Sequence, residues 1–307
     1  MSTDVYRTPF FSPRRVLILA GNTFTQGVRM KIFYFLLVFV MVWIGVHFLK
    51  LPHTVGPESA GAQELRQTKS TMVGVMQMFA AILAIVATSL LIPRDLEDRT
   101  LYTILAKPVP RLDYLVGKLL GILSLIFIGL LIMTILLNIV LHVRTLGVLG
   151  ERIELFEAMN ASPAAIEQER KEVLRHGVTW SLQGGILAVF LEAAIIAAIA
   201  LLVSTFSSST LFTVIVTTLV FFIGHYITDA RDFYLQQSAS GDDALVNMLS
   251  RGLIVIFPDF RPFDVVDECI EGQALPLGVI GKLALSTFFY VGIYTVLSWF
   301  VFSDKEI

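Results

Sequence analysis

IPRDLEDRTLYTILAKPVPRLDYLVGK, residues 92–118, sets nine charged side chains in one short segment between two long apolar runs. An apolar run of about 20 residues is enough to cross the hydrocarbon core of a bilayer as a helix. A charged segment held between two such runs is therefore a water-exposed connection pinned at both ends to a membrane. It is also a surface on which another protein can push.

Composition extends this reading to the whole chain. Of 307 residues, 55% are hydrophobic and only 16% charged, with a mean hydropathy of +0.76, which excludes an ordinary soluble domain. Spans are expected at residues 32–49, 72–92, 119–141, 186–203, 211–227 and 283–302. None of the alternating ten-residue segments of a β-barrel is present, whereas continuous apolar helices satisfy their own backbone in lipid. The expected fold is an all-α integral membrane protein with six transmembrane helices in one domain, 32–302, and without an internal repeat.

Short flanks set the orientation, because Lys and Arg favour the cytoplasmic side. Arg7, Arg14, Arg15, Arg29 and Lys31 face only Asp4 ahead of the first span, and the connection at 93–118 carries Arg94, Arg99, Lys107, Arg111 and Lys118. Both then lie inside, as do both termini, including the tail at 303–307. The loop at 142–180 and the region at 228–281 lie outside and are rich in Asp and Glu. The first apolar run lacks a small-residue cleavage pattern, so it is expected to stay in the protein. The single cysteine, Cys269, excludes an intramolecular disulfide and reads as an incidental thiol.

Local signals add detail outside the spans. Ser12 as a cap and Pro13 at the first helical position open a mixed segment that reads as an N-terminal interfacial amphipathic helix within 1–31. Val16, Leu17, Leu19, Ala20, Phe24 and Val28 supply its apolar face. In the loop at 142–180, Ser162, Pro163 and the charged run Glu167 to Glu172 predict a short helix ending near Gly177. Residues 245–257 are too short to span and carry Arg251, which suggests a surface or re-entrant helix. The turn-rich piece at 258–268 either caps the bundle or lines an outer vestibule.

No GxxxxGK[ST], HExxH, GxSxG or CxxC occurs, so the chain encodes no recognisable site for nucleotide hydrolysis and any ATP energy must come from a partner. The five histidines have no metal-ligand spacing on one helix, and no nucleic-acid motif is present. Glu192 is the one acidic residue inside the six spans. An intramembrane carboxylate is either a functional proton site or a hydrogen-bonded lock between helices, and the sequence leaves both open. Ala193, Ala194, Ala197, Ala198 and Ala200 offer a surface for close helix approach. The polar stretch at 204–210 joins two apolar helices as an antiparallel pair.

RDLEDRTLYTILAKPVPRLDYLVGKLLG, residues 94–121, resembles the intracellular segment of an ABC-2 type exporter permease. The six-span order, the amphipathic helix before the first span and the long outer region before the last are similar to that family too, so the resemblance implies an ABC-2 exporter-like bundle. It further implies two permease domains associated with two P-loop ATPase subunits, which use ATP and Mg, in a bacterial or archaeal cytoplasmic membrane. By that resemblance Asp95, Glu97, Asp98 and Arg99 form the charged approach to the ATPase cleft, and Leu101, Leu105, Lys107, Pro108, Pro110, Arg111 and Lys118 its later part. Arg99 stands where a glycine is usual, giving DRTLY.

The implied function is a permease coupling a partner's ATP hydrolysis to export of an unidentified substrate. Two other classes remain: a noncatalytic membrane scaffold or mechanical subunit, and an ion-coupled carrier using Glu192.

Overall fold

A computed structural model describes residues 11–46, 61–97, 110–207, 209–238 and 258–303, with backbone only at 91–97 and 228–238. Among these residues every regular element is helical: α1 (Pro13–Val28), α2 (Lys31–Val46), α3 (Ala62–Glu97), α4 (Arg111–Ala158), α5 (Pro163–Arg175), α6 (Trp180–Phe206), α7 (Thr210–Ser238), a 3-10 turn (Arg261–Phe263), α8 (Val265–Ile270) and α9 (Leu277–Ser303). Five helical stretches are long and apolar enough to cross a membrane, and a sixth arises if α1 and α2, bent by 64° at their junction, count as one span. The chain is an all-α, multi-span membrane bundle.

α6 is the axis of this bundle. From Glu192 to Leu201 every residue is buried, which on a helix means cover on all sides rather than along one stripe. The five alanines named above lie in that stretch and let α3, α4, α7, α8 and α9 come in around it. By contrast α9 turns Phe288, Phe289, Ile293 and Phe300 outward, as a lipid-facing helix does. At the Ser207–Ser209 turn, the Ser209 N–H donates to Ser207 Oγ at 3.1 Å, and α7 runs back alongside α6.

α1 does more than lie at an interface. Gly117 and Gly121, four residues apart on α4, open a strip into which α1 packs. A methyl on Gly121 would sit 2.5 Å from Thr23 Cβ and 2.7 Å from the Ala20 carbonyl, and one on Gly117 would sit 2.6 Å from Leu19 Cβ. Val16, Ala20, Thr23 and Gly27 form the buried stripe, while Leu17 and Ile18 face outward. Ser12 occupies the N-cap position in extended conformation, yet its hydroxyl makes no cap bond; its N–H instead reaches Asp113 Oδ1 at 3.4 Å.

At 48 residues α4 extends ~72 Å by helical rise, more than twice the bilayer core. The expected outer loop at 142–180 therefore begins as a continuation of this helix. α5 then folds back on it, with Ser162 Oγ accepting from the Ala165 N–H and Pro163 in the first turn, as the sequence predicts. Arg152 to Glu169 at 2.9 Å ties α5 to α4, and Arg144 to Glu64 at 3.3 Å ties α3 to the same protruding end.

Candidate functional site

The two ends and the middle of the bundle hold different chemistry. At the end expected to face inward, α3 stays helical through Glu97 and α4 starts at Arg111 after Pro110. Asp95 and Glu97 thus belong to the last turns of α3, while Asp98, Arg99, Leu101, Leu105, Lys107 and Pro108 lie outside the described residues. So does the expected helix at 245–257.

The described remainder of that segment is tied to its own chain. Arg111 Nη1 donates to the carbonyls of Phe302 and Ser303, both at 2.6 Å, and its guanidinium lies 5.7 Å over the Phe302 ring. It satisfies carbonyls that the last turn of α9 leaves without partners and sits where the helix dipole favours a cation. Tyr114, fully buried, stacks on Phe302 at 6.0 Å. Lys118 Nζ donates to Gln26 Oε1 at 3.2 Å and lies 5.8 Å above the Tyr114 ring. Asp113, with no exposed surface, accepts from Arg15 Nε at 2.8 Å. α1, α4 and α9 are braced together at this point.

Within the bundle, Glu192 has partners that its position in the sequence hides. Its Oε2 accepts from Gln77 Nε2 of α3 at 3.1 Å, and its Oε1 lies 3.2 Å from His225 Nε2 of α7. His225 Nδ1 is 3.1 Å from the Phe221 carbonyl, an acceptor only, so Nδ1 carries a proton. Nε2 and Oε1 can then approach only if a further proton lies between them, held by an imidazolium or by a carboxylic acid. In both states Oε2 remains free to accept from Gln77. Three helices thus meet at one carboxylate, ~21 Å along α6 from Phe206.

The segment at 258–270 covers this junction. The Phe260 N–H donates to the Gly224 carbonyl at 3.1 Å, and a side chain on Gly224 would strike the Phe260 ring at 2.5 Å. That ring lies 5.2 Å from His225 and 6.1 Å from Phe221. Cys269 is buried against Gly185, and burial pushes its thiol up from the ordinary value. Of the two expectations for 258–268, the described geometry is that of a cap. Nearby, Lys69 is fully buried, and its Nζ has no hydrogen-bond partner among the described residues.

Beside the carboxylate, α3 and α7 separate to leave an open groove of about 520 Å³ lined by Gly74, Gln77, Met78, Ile82, Thr218 and Phe222 among others, within the ~300–1,000 Å³ of ordinary ligand pockets. Gln77 is common to the groove and the buried network. Sequence reasoning singled out Glu192 and missed Gln77, Thr218 and His225. A usable signal existed: Glu192 and His225 stand at nearly equal distances from the 204–210 turn, so an antiparallel pair brings them level.

A family model described as ABC-2 family transporter protein matches residues 17–306. No curated protein matches the chain.

Proposed function

The chain belongs to the ABC-2 transporter family, and on that premise we propose that it is the transmembrane permease of an exporter driven by a separate P-loop ATPase. Two permease chains, identical or homologous, assemble with two ATPase subunits, on which ATP and Mg act. The chain crosses a bacterial or archaeal cytoplasmic membrane six times, as α2, α3, α4, α6, α7 and α9. α1 lies along the inner interface and both termini are inside.

The observation that carries this reading is the brace around Arg111, Asp113 and Lys118. Residues 98–109 enter from α3 and leave into α4 where α1 and α9 are fastened to it. A push delivered there is passed to three helices at once, and through α3 to Gln77 on the groove. The charged residues Asp95, Glu97, Asp98 and Arg99, with Leu101, Leu105, Lys107, Pro108 and Pro110, form the surface offered to the ATPase. They transmit force and do not cleave ATP.

Purification of the intact protein in mild detergent, with partners identified by mass spectrometry, tests this. A P-loop ATPase is expected with the wild type and is expected to be lost when Asp95, Glu97, Asp98 and Arg99 are all changed to Ala. If no ATPase appears even after crosslinking, the exporter reading falls and the scaffold reading takes its place. The Glu192–His225 pair, which holds a proton within the bundle, favours the ion-coupled carrier as second reading. Proton-driven uptake or efflux by this chain alone in proteoliposomes would establish that carrier.

A further inference from the structure

The groove between α3 and α7 has a hydrogen-bonding character as well as a shape. Its lining is almost wholly apolar, and only Gln77 and Thr218 bring nitrogen or oxygen side-chain atoms to it. The amide of Gln77 has one orientation available: a carboxylate oxygen accepts, so the nitrogen must face Glu192 Oε2, where it sits at 3.1 Å. The amide oxygen points the other way. The Thr218 hydroxyl donates to the Val214 carbonyl at 2.7 Å, which leaves it, too, as an acceptor. Both polar groups of the groove therefore present lone pairs. In an apolar setting an acceptor left without a donor is costly, so a ligand is selected by whether it supplies N–H groups.

We propose that this groove binds an amphipathic primary ammonium compound, its apolar body against Met78, Ile82 and Phe222 and its N–H donors on Gln77 and Thr218. This rests on the exporter reading and gives that reading a substrate class. The buried Glu192 is a positioning residue: it fixes the Gln77 amide and does not touch the ligand.

The test uses the full chain in phosphatidylcholine nanodiscs and two photolabels with the same diazirine-bearing dodecyl tail. One ends in –NH3+ and the other in –N(CH3)3+, so they share charge and tail and differ in N–H donors. Labelling of 74–86 and 214–222, read by peptide mass spectrometry, is expected to be about tenfold higher for the primary ammonium, the factor that one lost hydrogen bond to a charged donor gives. Labelling at Phe288 and Phe289 on α9 is expected to be equal for both probes and serves as the lipid background. Gln77→Leu should bring the two probes to parity in the groove. Thr218→Val, a change of similar shape, should narrow the gap without disturbing the fold.

Equal labelling by both probes in the wild type overturns the proposal, as does a preference that survives both substitutions. So does absence of both labels together with a Met78→Cys disulfide between two copies, since a second chain then fills the groove. Each of these readings needs no ATPase, so their failure is distinct from the failure of ATPase copurification.

Discussion

Arg15 Nε donates to Asp113 Oδ2 across 2.8 Å, joining residues 98 positions apart where α4 begins. Asp113 has no exposed surface, whereas a quarter of the Arg15 side chain is exposed. The two ends of the pair are therefore unequal. Arg15→Ala leaves a carboxylate buried with only the long Ser12 N–H bond, and should cost about 3–5 kcal/mol, the range for a buried charge stripped of its partner. Asp113→Ala leaves a guanidinium that can turn toward water, and should cost about half as much. Unfolding midpoints in a denaturing-detergent titration check the order; equal losses would mean that Arg15 is not the main counterion of Asp113.

The fit of α1 on α4 gives a steric prediction. Gly121 faces both Thr23 Cβ and the Ala20 carbonyl below 3 Å from where a methyl would go, and backbone cannot swing aside. Gly121→Ala should lower stability by about 1–3 kcal/mol and loosen α1. Gly147, where a methyl would meet nothing within 4 Å, is the control: Gly147→Ala should be neutral or slightly stabilising through helix propensity. Limited proteolysis at Arg14 and Arg29 reads the loosening directly.

Much of this bundle is legible in its residues because a span is a bulk property: about twenty consecutive apolar residues announce one. The short helix at 163–175 is equally legible, because Ser162 and Pro163 act within one turn of where they stand. What the sequence does not disclose is pairing between helices. Arg111, Asp113 and Lys118 read as a free charged surface, and the structure spends them on α1 and α9. Nothing local to Arg111 says that Phe302, 191 residues later, will end its helix beside it. Glu192 likewise looks isolated until the turn at 204–210 is given its antiparallel sense. The length of α4 beyond the membrane is hidden for another reason: residues 142–158 are too polar for a span yet helical, and hydropathy registers only the first of these.

The junction at Glu192 should respond asymmetrically to substitution. His225→Ala removes the group that shares a proton with a carboxylate only 3% exposed, and should cost about 3–5 kcal/mol. Glu192→Gln keeps an acceptor for Gln77 and should cost less. The double change Glu192→Leu with His225→Phe removes both polar groups, so its cost should fall well short of the sum of the single losses, the mark of a directly coupled pair. Additive losses would show that the pair is not joined in the folded protein.

His176 supplies a pH test outside the spans. It caps α5, and its Nδ1 is buried with no hydrogen-bond partner among the described residues. Burial, then the positive charges of Lys69 and Arg175, lower its pKa from the ordinary 6.5. The unfolded chain therefore binds this proton more readily than the folded one, and stability rises with pH across the interval between the two values. The full contribution is present above pH 6.5 and is lost as pH falls through the depressed folded value. His176→Gln removes this slope and leaves the carboxylates, which titrate at lower pH, unchanged. The difference in unfolding midpoint between wild type and His176→Gln, followed from pH 7.5 downward, should favour the wild type less and less below pH 6.5. A difference independent of pH would mean that His176 is equally protonated in both states.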